Sequence, residues 1–351
     1  MQRVLSERGL DAAIHALHET VIQTGHIQDG WQRHITHRTH TDENDQVAFY
    51  SMVNHGRSHY SRTYSQPAAY LPEGALCKIC PQNVADPNNS ANVHLRTFDM
   101  TLNGEAYFIQ PPPYPYGECH VMLIEHQHRD MHHDEGSVKA NLEFLDGAPA
   151  FTVCQNSDIH GAGATIPQHH HVPVMRNFSP PVMSAQPLPA FHLTAQGVEL
   201  NILDYPFTTI KVTTKDKDTM AKAVASLIGH WKQGEKGRMP NRTANYIMRK
   251  GGDEYCAWVF MRDVSYQPTQ EFLTLKSEYC GYIDIAGCPL LSDKKTEAEQ
   301  AVFLARLEEN PQVAQTIRAG LKQLSPLSTD RPDEIHSLLQ SCLADIHARA
   351  F

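Results

Sequence analysis

Three consecutive histidines, His169, His170 and His171, follow closely on Pro167. A proline at this point disfavours a helix, so the sequence predicts an extended backbone through the histidines. In a strand, residues i and i+2 point to the same face, roughly 6.6 Å apart along the backbone. His169 and His171 would then project together and His170 away from them. Two imidazoles on one face could divide the work, one ligating a metal ion and the other attacking an electrophile.

A second chemical signal is the Cys-x-x-Cys pair formed by Cys77 and Cys80 in a turn-like context. This spacing is typical of half of a Cys₂His₂ zinc site, and His128 and His169 are candidates for the other half. Two structural thiols are the alternative interpretation. The remaining cysteines stand alone in apolar or turn contexts, where buried free thiols are expected: Cys119, Cys154, Cys256, Cys280, Cys288 and Cys342.

Groups that could meet a phosphate lie near these motifs and elsewhere in the chain. Gly161 and Gly163 permit close backbone approach, and their N–H groups could cradle a phosphate. Arg62 and Arg262 could neutralise charge on phosphoryl oxygens, although each is equally well interpreted as a surface arginine.

Strands are predicted to position these residues, because β-branched and aromatic residues recur in short runs bounded by turn residues. The runs before and between the motifs lie at 47–53, 58–64, 105–110, 119–126 and 151–156. Downstream runs lie at 198–203, 207–213, 245–250, 255–263 and around 281–291. Helices are predicted at 137–145 and 216–233, with amphipathic helix after residue 296 that is interrupted near Pro311 and Pro326.

The order of these elements predicts an α+β protein with mostly antiparallel sheets, flanking helices and a C-terminal helical segment. Residues 1–45 are predicted to be a helical lead-in with a polar connector, in which the histidines of 33–45 are solvated. Residues 46–180 and 190–295 form two successive mixed blocks around a proline-rich link, and residues 296–351 form a helical cap.

Composition narrows the class of function. The 351 residues are 41 % hydrophobic and 20 % charged, with a formal net charge of −9. An acidic chain without massed basic residues argues against binding to a nucleic-acid backbone. No apolar run approaches the ~20 residues that a membrane helix needs, and the first residues resemble an amphipathic helix more than a signal peptide. A cytoplasmic protein without nucleic-acid or membrane partners is therefore expected.

Together, the motifs resemble a known family. CKICPQN, PPPYPYGECHVMLIEHQHRD and GATIPQHHHV occur in the order typical of the galactose-1-phosphate uridylyltransferase branch of the histidine-triad (HIT) superfamily. That branch includes diadenosine tetraphosphate phosphorylase and GDP-L-galactose phosphorylase. Two later segments, NYIMRKGGDEYCAWVFMRD and EYCGYIDIAGCPLL, extend the resemblance to roughly residues 60–295. It implies two tandem HIT-like halves.

The resemblance also implies roles for individual residues. His171 would be the nucleophile, and a structural zinc would be held by Cys77, Cys80, His128 and His169, with His126 as the alternative to His128. The Asn/Gly turn that binds substrate would map onto Asn156, Gly161 and Gly163, and we add the neighbouring Thr165 to this set.

One departure from the family pattern concerns position 173. The family has a glutamine two residues after the nucleophile, which hydrogen-bonds the transferring phosphoryl group, whereas this chain has Pro173. Proline offers neither an amide side chain nor an N–H. Another nearby group would have to substitute, namely Gln168, His170 or Arg176, or else the chemistry is slower, different or lost.

The expected activity is nucleotidyl transfer or phosphorolysis of a nucleotide sugar or dinucleoside polyphosphate through a nucleotidyl-histidine intermediate. Phosphate or a sugar phosphate would be the acceptor, and a homodimer is expected by resemblance. Three alternatives stay open: a hydrolase that uses water as acceptor, a non-catalytic zinc protein that binds nucleotides, and a metal hydrolase built on the histidine cluster.

Overall fold

The structure is a computed structural model of the chain. It describes residues 2–41, 48–57, 75–84, 86, 88, 92–164, 166–234, 237–276, 280–291 and 312–348, together with scattered residues between 296 and 310. The strand predicted at 58–64 lies outside the described residues, as do two of the predicted substrate-binding residues, Arg62 and Thr165.

The continuously described ranges of the chain contain eight α-helices. They are α1 (Gln2–Gln23), α2 (Pro81–Val84), α3 (Glu135–Gly147), α4 (Lys217–Lys232), α5 (Gln270–Leu275), α6 (Tyr282–Ile285), α7 (Val313–Leu324) and α8 (Pro332–Ala348). Side-chain caps begin the two helices between the sheet strands. Asp134 accepts a hydrogen bond from the Ser137 amide at 2.8 Å, and Asp216 accepts one from the Thr219 amide at 2.6 Å.

Most strands belong to one large antiparallel sheet. The strands are β1 (Ile35–His40), β2 (Phe49–Asn54), β3 (Phe98–Leu102), β4 (Glu105–Gln110), β5 (Val121–Glu125), β6 (Phe151–Gln155), β7 (His171–Arg176), β8 (Pro187–Ala195), β9 (Val198–Leu203), β10 (Thr209–Thr214), β11 (Gln233–Gly234), β12 (Gly237–Arg238), β13 (Arg242–Gly251) and β14 (Glu254–Asp263). Ten of them form the sheet in the order β3-β4-β5-β7-β6-β13-β14-β10-β9-β8. β1 pairs with β2, and β11 with β12.

The ten-stranded sheet contains the same unit twice. In β3 to β7, the first three strands lie in chain order and the fifth inserts between the third and fourth. β8, β9, β10, β13 and β14 repeat that order, and each unit has its helix, α3 or α4, between its third and fourth large-sheet strands. The units meet where β6 pairs with β13, from Thr152↔Arg249 to Gln155↔Tyr246. The prediction of tandem α+β halves is confirmed.

The sheet is covered on both faces. One face packs against α1, α3, α4 and α8, with Val121, Val153 and Val174 among its buried residues. The opposite face packs against β2, α7 and the segment 280–291. His171 belongs to this second face, because it alternates with Val172, which lies in the first core.

Four local predictions need correction. The polar connector contains β1, which pairs along its whole length with β2, and the proline-rich link runs directly into β8. β8 is an edge strand, where a residue without an N–H is tolerated. β3 was not predicted. The apolar run at 281–291, predicted as strand, contains the short helix α6 and two isolated β-bridges.

Within the described residues, none of the helices combines the length and the apolar character that crossing a membrane requires.

Candidate active site

Four predicted ligand residues from three separate segments form one cluster. Cys77 and Cys80 lie in the turn before α2, His128 follows β5, and His169 precedes β7. Their ligand atoms all lie within 4.8 Å of one another. Cys77 Sγ is 3.1 Å from His169 Nδ1, Cys80 Sγ is 3.3 Å from His128 Nδ1, and the two sulfurs are 3.5 Å apart.

The two thiols and two imidazoles of the cluster suit a cation with tetrahedral coordination. Zinc bonds of about 2.0–2.3 Å place neighbouring ligand atoms roughly 3.3–3.8 Å apart, close to the separations seen here. His169 Nε2 lies 2.8 Å from the carbonyl oxygen of Glu125, so Nε2 carries the proton and Nδ1 directs its lone pair at the thiols. Burial raises the pKa of Cys77 to about 12, and a bound cation would relieve that penalty on the thiolate. The cluster could therefore bind a metal ion.

His126, the alternative ligand, lies outside this cluster. Its Nε2 is 2.9 Å from Asp99 Oδ1 near the surface, and its ring packs edge-on against Phe108. Of the two imidazoles that follow β5, His128 is the one that reaches the thiols.

His171 is held by a hydrogen bond to its own strand. Its Nδ1 lies 2.8 Å from the carbonyl oxygen of His169, and because a carbonyl only accepts, Nδ1 carries the proton. The lone pair of the neutral ring is then on Nε2. Burial lowers the pKa of His171 below its usual 6.5, and the bond to the His169 carbonyl opposes this shift without reversing it. Neutral imidazole with a basic Nε2 is the form that attacks phosphorus.

A cavity of about 180 Å³ lies against His171. Pro173 and Met122 contribute to it from β7 and β5, and Asn156 from the turn after β6. The other residues that line it come from the loop before β5, from the glycine turn and from the C-terminal segment: Pro112, Tyr114, Tyr116, His120, Gly163, Gly281, Tyr282, Ile283, Asp284 and Leu290. The predicted nucleophile therefore faces a cavity that is enclosed by the first unit of the sheet, its loops and the segment 280–291.

Gly163 is where the glycine turn after β6 contacts the C-terminal segment of the cavity wall at Gly281. Its φ is +98°, and a Cβ added there would lie 2.3 Å from the Cα of Gly281. The side chain of Asn156 lies beside both glycines, and its Oδ1 is buried without a hydrogen-bond partner among the described residues. Unsatisfied buried acceptors are rare, so this atom is a candidate contact for a ligand in the cavity.

The C-terminal wall of the cavity is organised by a buried carboxylate. Asp284 accepts hydrogen bonds from the amides of Gly281 at 2.9 Å and Leu290 at 2.8 Å, and it pairs with the Lys276 ammonium. Lys276 also donates to the Leu290 carbonyl at 2.7 Å. The segment 280–291 is therefore fixed by polar contacts as well as by its apolar residues.

Arg262 lies behind this wall and does not line the cavity. Its guanidinium is fully buried and donates to Asn245 Oδ1 at 3.0 Å and to the Cys280 carbonyl at 3.1 Å. Burial lowers its pKa to about 10, which still leaves it charged at neutral pH. The structure thus places Arg262 where it supports the backbone before Gly281. Gly161 also lies away from the lining residues, with Val264 at 3.3 Å from its added Cβ.

The three substitutes considered for the missing glutamine lie elsewhere. Arg176 is paired with Glu118 at 2.8 Å and Asp11 at 3.2 Å near the surface. His170 points to the opposite face, where its ring packs 4.0 Å from that of His132. Gln168 is not among the residues that line the cavity.

Sequence reasoning missed the loop before β5 and the wall residues after Gly281. His120 lies two residues before Met122, and the alternation of β5 would have placed both on the face of His171. The contribution of Tyr114 and Tyr116 depends on how the proline-rich loop folds back, for which the sequence carries no periodic signal.

The chain is similar to several curated proteins. It is 26 % identical over 297 residues to a galactose-1-phosphate uridylyltransferase of Lactiplantibacillus plantarum, covering 78 % of this chain and 60 % of that protein. It is 23 % identical over 329 residues to the Caldanaerobacter subterraneus protein of the same name, covering 85 % and 62 %. These findings confirm the resemblance that the motifs predicted. The chain spans about 60 % of the length of the curated relatives it matches. No family model matches it.

Solved structures show the same fold. The crystal structure of yeast Ap4A phosphorylase Apa2 covers 93 % of this chain and 98 % of its own, with a TM-score of 0.60 at 14 % identity. The complex of that enzyme with Ap4A covers 89 % of this chain with a TM-score of 0.55. The chain therefore has the α+β, HIT-like fold with tandem halves that the resemblance implied.

Proposed function

We propose that this protein transfers a nucleotidyl group, acting on a nucleotide sugar or a dinucleoside polyphosphate through a covalent nucleotidyl-His171 intermediate. The main support for this proposal is the orientation of His171. Its protonated Nδ1 donates to the His169 carbonyl, and its ring lines a cavity. The names of the relatives and of the structural neighbours, a uridylyltransferase and a phosphorylase, support the class of reaction.

The first step follows from that geometry. The Nε2 lone pair of His171 attacks the α-phosphorus of the substrate, forming a P–N bond as the P–O bond to the leaving group breaks. The bonding electrons leave with that oxygen, on a sugar phosphate when the substrate is a nucleotide sugar and on a nucleoside polyphosphate when it is a dinucleoside polyphosphate. As positive charge develops on the imidazole, the His169 carbonyl at 2.8 Å stabilises the proton on Nδ1. A phosphate or sugar phosphate then reverses the process and takes the nucleotide, which predicts ping-pong kinetics.

We further propose that Asn156 and Gly163 bind the substrate, because both line the cavity in front of His171. The Asn156 amide has a buried Oδ1 without a described partner, which could accept from a ribose hydroxyl or a base N–H. Gly161, and Arg62 and Thr165 outside the described residues, stay predictions. Arg262 is proposed to act on the wall behind Gly281 rather than on the substrate.

Zinc is proposed as the ion of the Cys77, Cys80, His128 and His169 cluster. Four protein ligands would leave no open position for water, so the ion would be structural. It would hold His169 in place, and through the His169 carbonyl it would fix the ring of His171. A cytoplasmic location, expected from the sequence, and a homodimer, expected by resemblance, are further parts of the proposal.

The test is to trap the intermediate. The protein is incubated with UDP-glucose labelled in the α-phosphate, and in parallel with labelled Ap4A, then denatured and analysed for acid-labile label. We expect one of these probes to label the wild type, and His171→Ala to abolish the label. His192→Ala, on the edge strand β8, is the matched control and should be labelled like the wild type.

The outcomes separate the competing functions. Label that is discharged by inorganic phosphate or a sugar phosphate supports transfer, whereas discharge by water at the same rate without an acceptor indicates a hydrolase. Binding of the probes without any adduct would favour a nucleotide-binding protein that does not turn over. Activity that is lost on chelation while the fold persists would favour the metal hydrolase.

A further inference from the structure

We propose that His120 donates a hydrogen bond to a non-bridging oxygen of the phosphoryl group that His171 attacks. This assignment rests on the proposed function and names a further catalytic residue of the same site. It concerns the side of the cavity where β7 presents Pro173, which has no polar group to offer there.

The register of β5 and β7 places His120 beside this position. Met122 lies opposite Pro173 and Val121 opposite Val174. Since side chains alternate along a strand, His120 shares the face of Met122, and that is also the face of His171. Residues diagonal to one another across two strands lie within reach of long side chains. His120 and His171 indeed line the same cavity, with Pro173 between them on the sheet.

The surrounding contacts determine which nitrogen of His120 can donate. The backbone N–H of Tyr116 donates to His120 Nδ1 at 3.1 Å, so Nδ1 holds a lone pair and the proton of the neutral ring is on Nε2. The Tyr116 ring stacks on the imidazole, with centroids 5.5 Å apart and planes at 27°. The side chain is 4 % exposed. In the neutral ring this contact makes Nε2 the donor, and the stacked Tyr116 ring restrains the ring plane.

The backbone before His120 adopts an unfavourable conformation. Cys119 has a φ of +45°, a left-handed conformation that non-glycine residues adopt rarely. The turn is closed by the His120 N–H, which donates to the Gly117 carbonyl at 3.3 Å. Such conformations persist where the surrounding structure enforces them, and they concentrate at active sites. Here the turn aims the first side chain before β5 into the cavity.

The proposed reaction requires a hydrogen-bond donor beside the phosphoryl group. Attack by His171 builds negative charge on the phosphoryl oxygens, and donors fixed in advance stabilise that charge more in the transition state than in the ground state. Arg176 and His170, which are close to Pro173 in sequence, point elsewhere. His120 is the imidazole that the register of β5 and β7 places next to Pro173.

The experiment measures adduct formation in a single turnover, using whichever α-labelled probe, UDP-glucose or Ap4A, labels the wild type. We expect His120→Ala to slow labelling by about 10²–10³-fold, the effect of removing one donor from such a site. The half-saturating probe concentration should change by less than about threefold, because the lost bond strengthens mainly in the transition state. His120→Asn, which keeps an amide donor, should retain more activity than His120→Ala.

Pro173→Gln provides the decisive second variant. In the His120→Ala background it places an amide on the same face of β7, and we expect it to recover at least about tenfold in rate. The control is His192→Ala, and thermal denaturation with metal analysis verifies that each variant folds and keeps its metal content.

Two results would overturn the assignment while leaving the proposed function intact. One is a folded His120→Ala variant that is labelled within about threefold of the wild-type rate. The other is a slow His120→Ala variant that neither Pro173→Gln nor His120→Asn improves, since His120 would then only shape the cavity. A wild type that no probe labels refutes the proposed function itself, and this assignment with it.

Discussion

At the scale of single residues, the site depends on which nitrogen of each histidine is occupied. His169 donates from Nε2 to Glu125 and turns Nδ1 to the thiols, whereas His171 donates from Nδ1 to His169 and leaves Nε2 for the cavity. The two imidazoles thus turn opposite ring nitrogens away from the backbone, because their backbone partners differ. The same contacts connect the Cys/His cluster to the proposed nucleophile through one peptide carbonyl.

Gly163→Ala tests the close contact in the cavity wall. An added Cβ would meet the Gly281 Cα at 2.3 Å, and the φ of +98° is itself unfavourable for alanine. We expect the variant to lose more than about 1 kcal/mol of unfolding free energy and most of its labelling activity, because the wall must move. Urea denaturation and the trapping assay measure the two effects.

The matched control is Gly104→Ala, in the turn between β3 and β4. Gly104 also has a positive φ, +78°, but its added Cβ meets nothing within 4 Å. We expect a stability loss of about 1 kcal/mol with labelling unchanged. Equal stability and activity in the two variants would show that the contact with Gly281 does not shape the cavity.

Residue types and short spacings carried most of the site that could be predicted. His169 and His171 are two positions apart, so strand alternation alone predicts that they share a face, and Cys77 and Cys80 have the spacing typical of zinc ligands. Arg262 shows the limit. Its charge suggested a phosphate contact, but its location behind Cys280 depends on tertiary packing that a single sequence does not reveal.

At the scale of elements, the segment 280–291 shows how a polar side chain overrides an apolar pattern. The run reads as strand because it is rich in apolar residues, yet Asp284 accepts from the amides of Gly281 and Leu290 and folds the chain into a helical turn. Apolar or alternating runs with turn residues at both ends were predicted closely as strands, including β4 and β9. β3 and β8 were missed because an edge strand needs little apolar signal.

Asp284→Ala should therefore disturb the cavity without touching the nucleophile. Its removal leaves the Lys276 ammonium buried without its carboxylate and frees two amides. Breaking a buried pair in this way costs about 3–5 kcal/mol, and we expect a loss of that order in urea denaturation with strongly reduced labelling. Asp253→Ala, which removes an exposed partner of Lys215, is the control and should change neither. A stable, active Asp284→Ala protein would contradict this account of the wall.

At the scale of the whole molecule, the Cys/His cluster joins distant parts of the chain. The turn at Cys77 and Cys80 precedes the first strand of the large sheet, whereas His128 and His169 come from the ends of β5 and β7. A metal ion bound there would tie the N-terminal segment to the sheet next to the cavity. Its binding free energy would then contribute to the stability of the fold.

Metal removal tests this connection. We expect about one zinc per chain by mass spectrometry, and a fall of at least about 5 °C in the midpoint of thermal unfolding after treatment with a strong chelator. Cys80→Ser should lose the metal and show the same fall without chelator. Cys256→Ser, at a partly exposed thiol on β14, should keep the metal. A purified wild type that contains no metal and is insensitive to chelator would contradict the zinc assignment.

The pairing of β6 with β13 has a consequence for assembly. Tyr246 to Arg249 pair with the outer edge of β6, so the unit that carries His171 does not expose a row of unpaired backbone groups along β6. Separate polypeptides would have to find each other in solution to cover that edge, and their association would weaken on dilution. Carrying both units on one chain makes the second a permanently tethered companion, so the covered edge no longer depends on protein concentration.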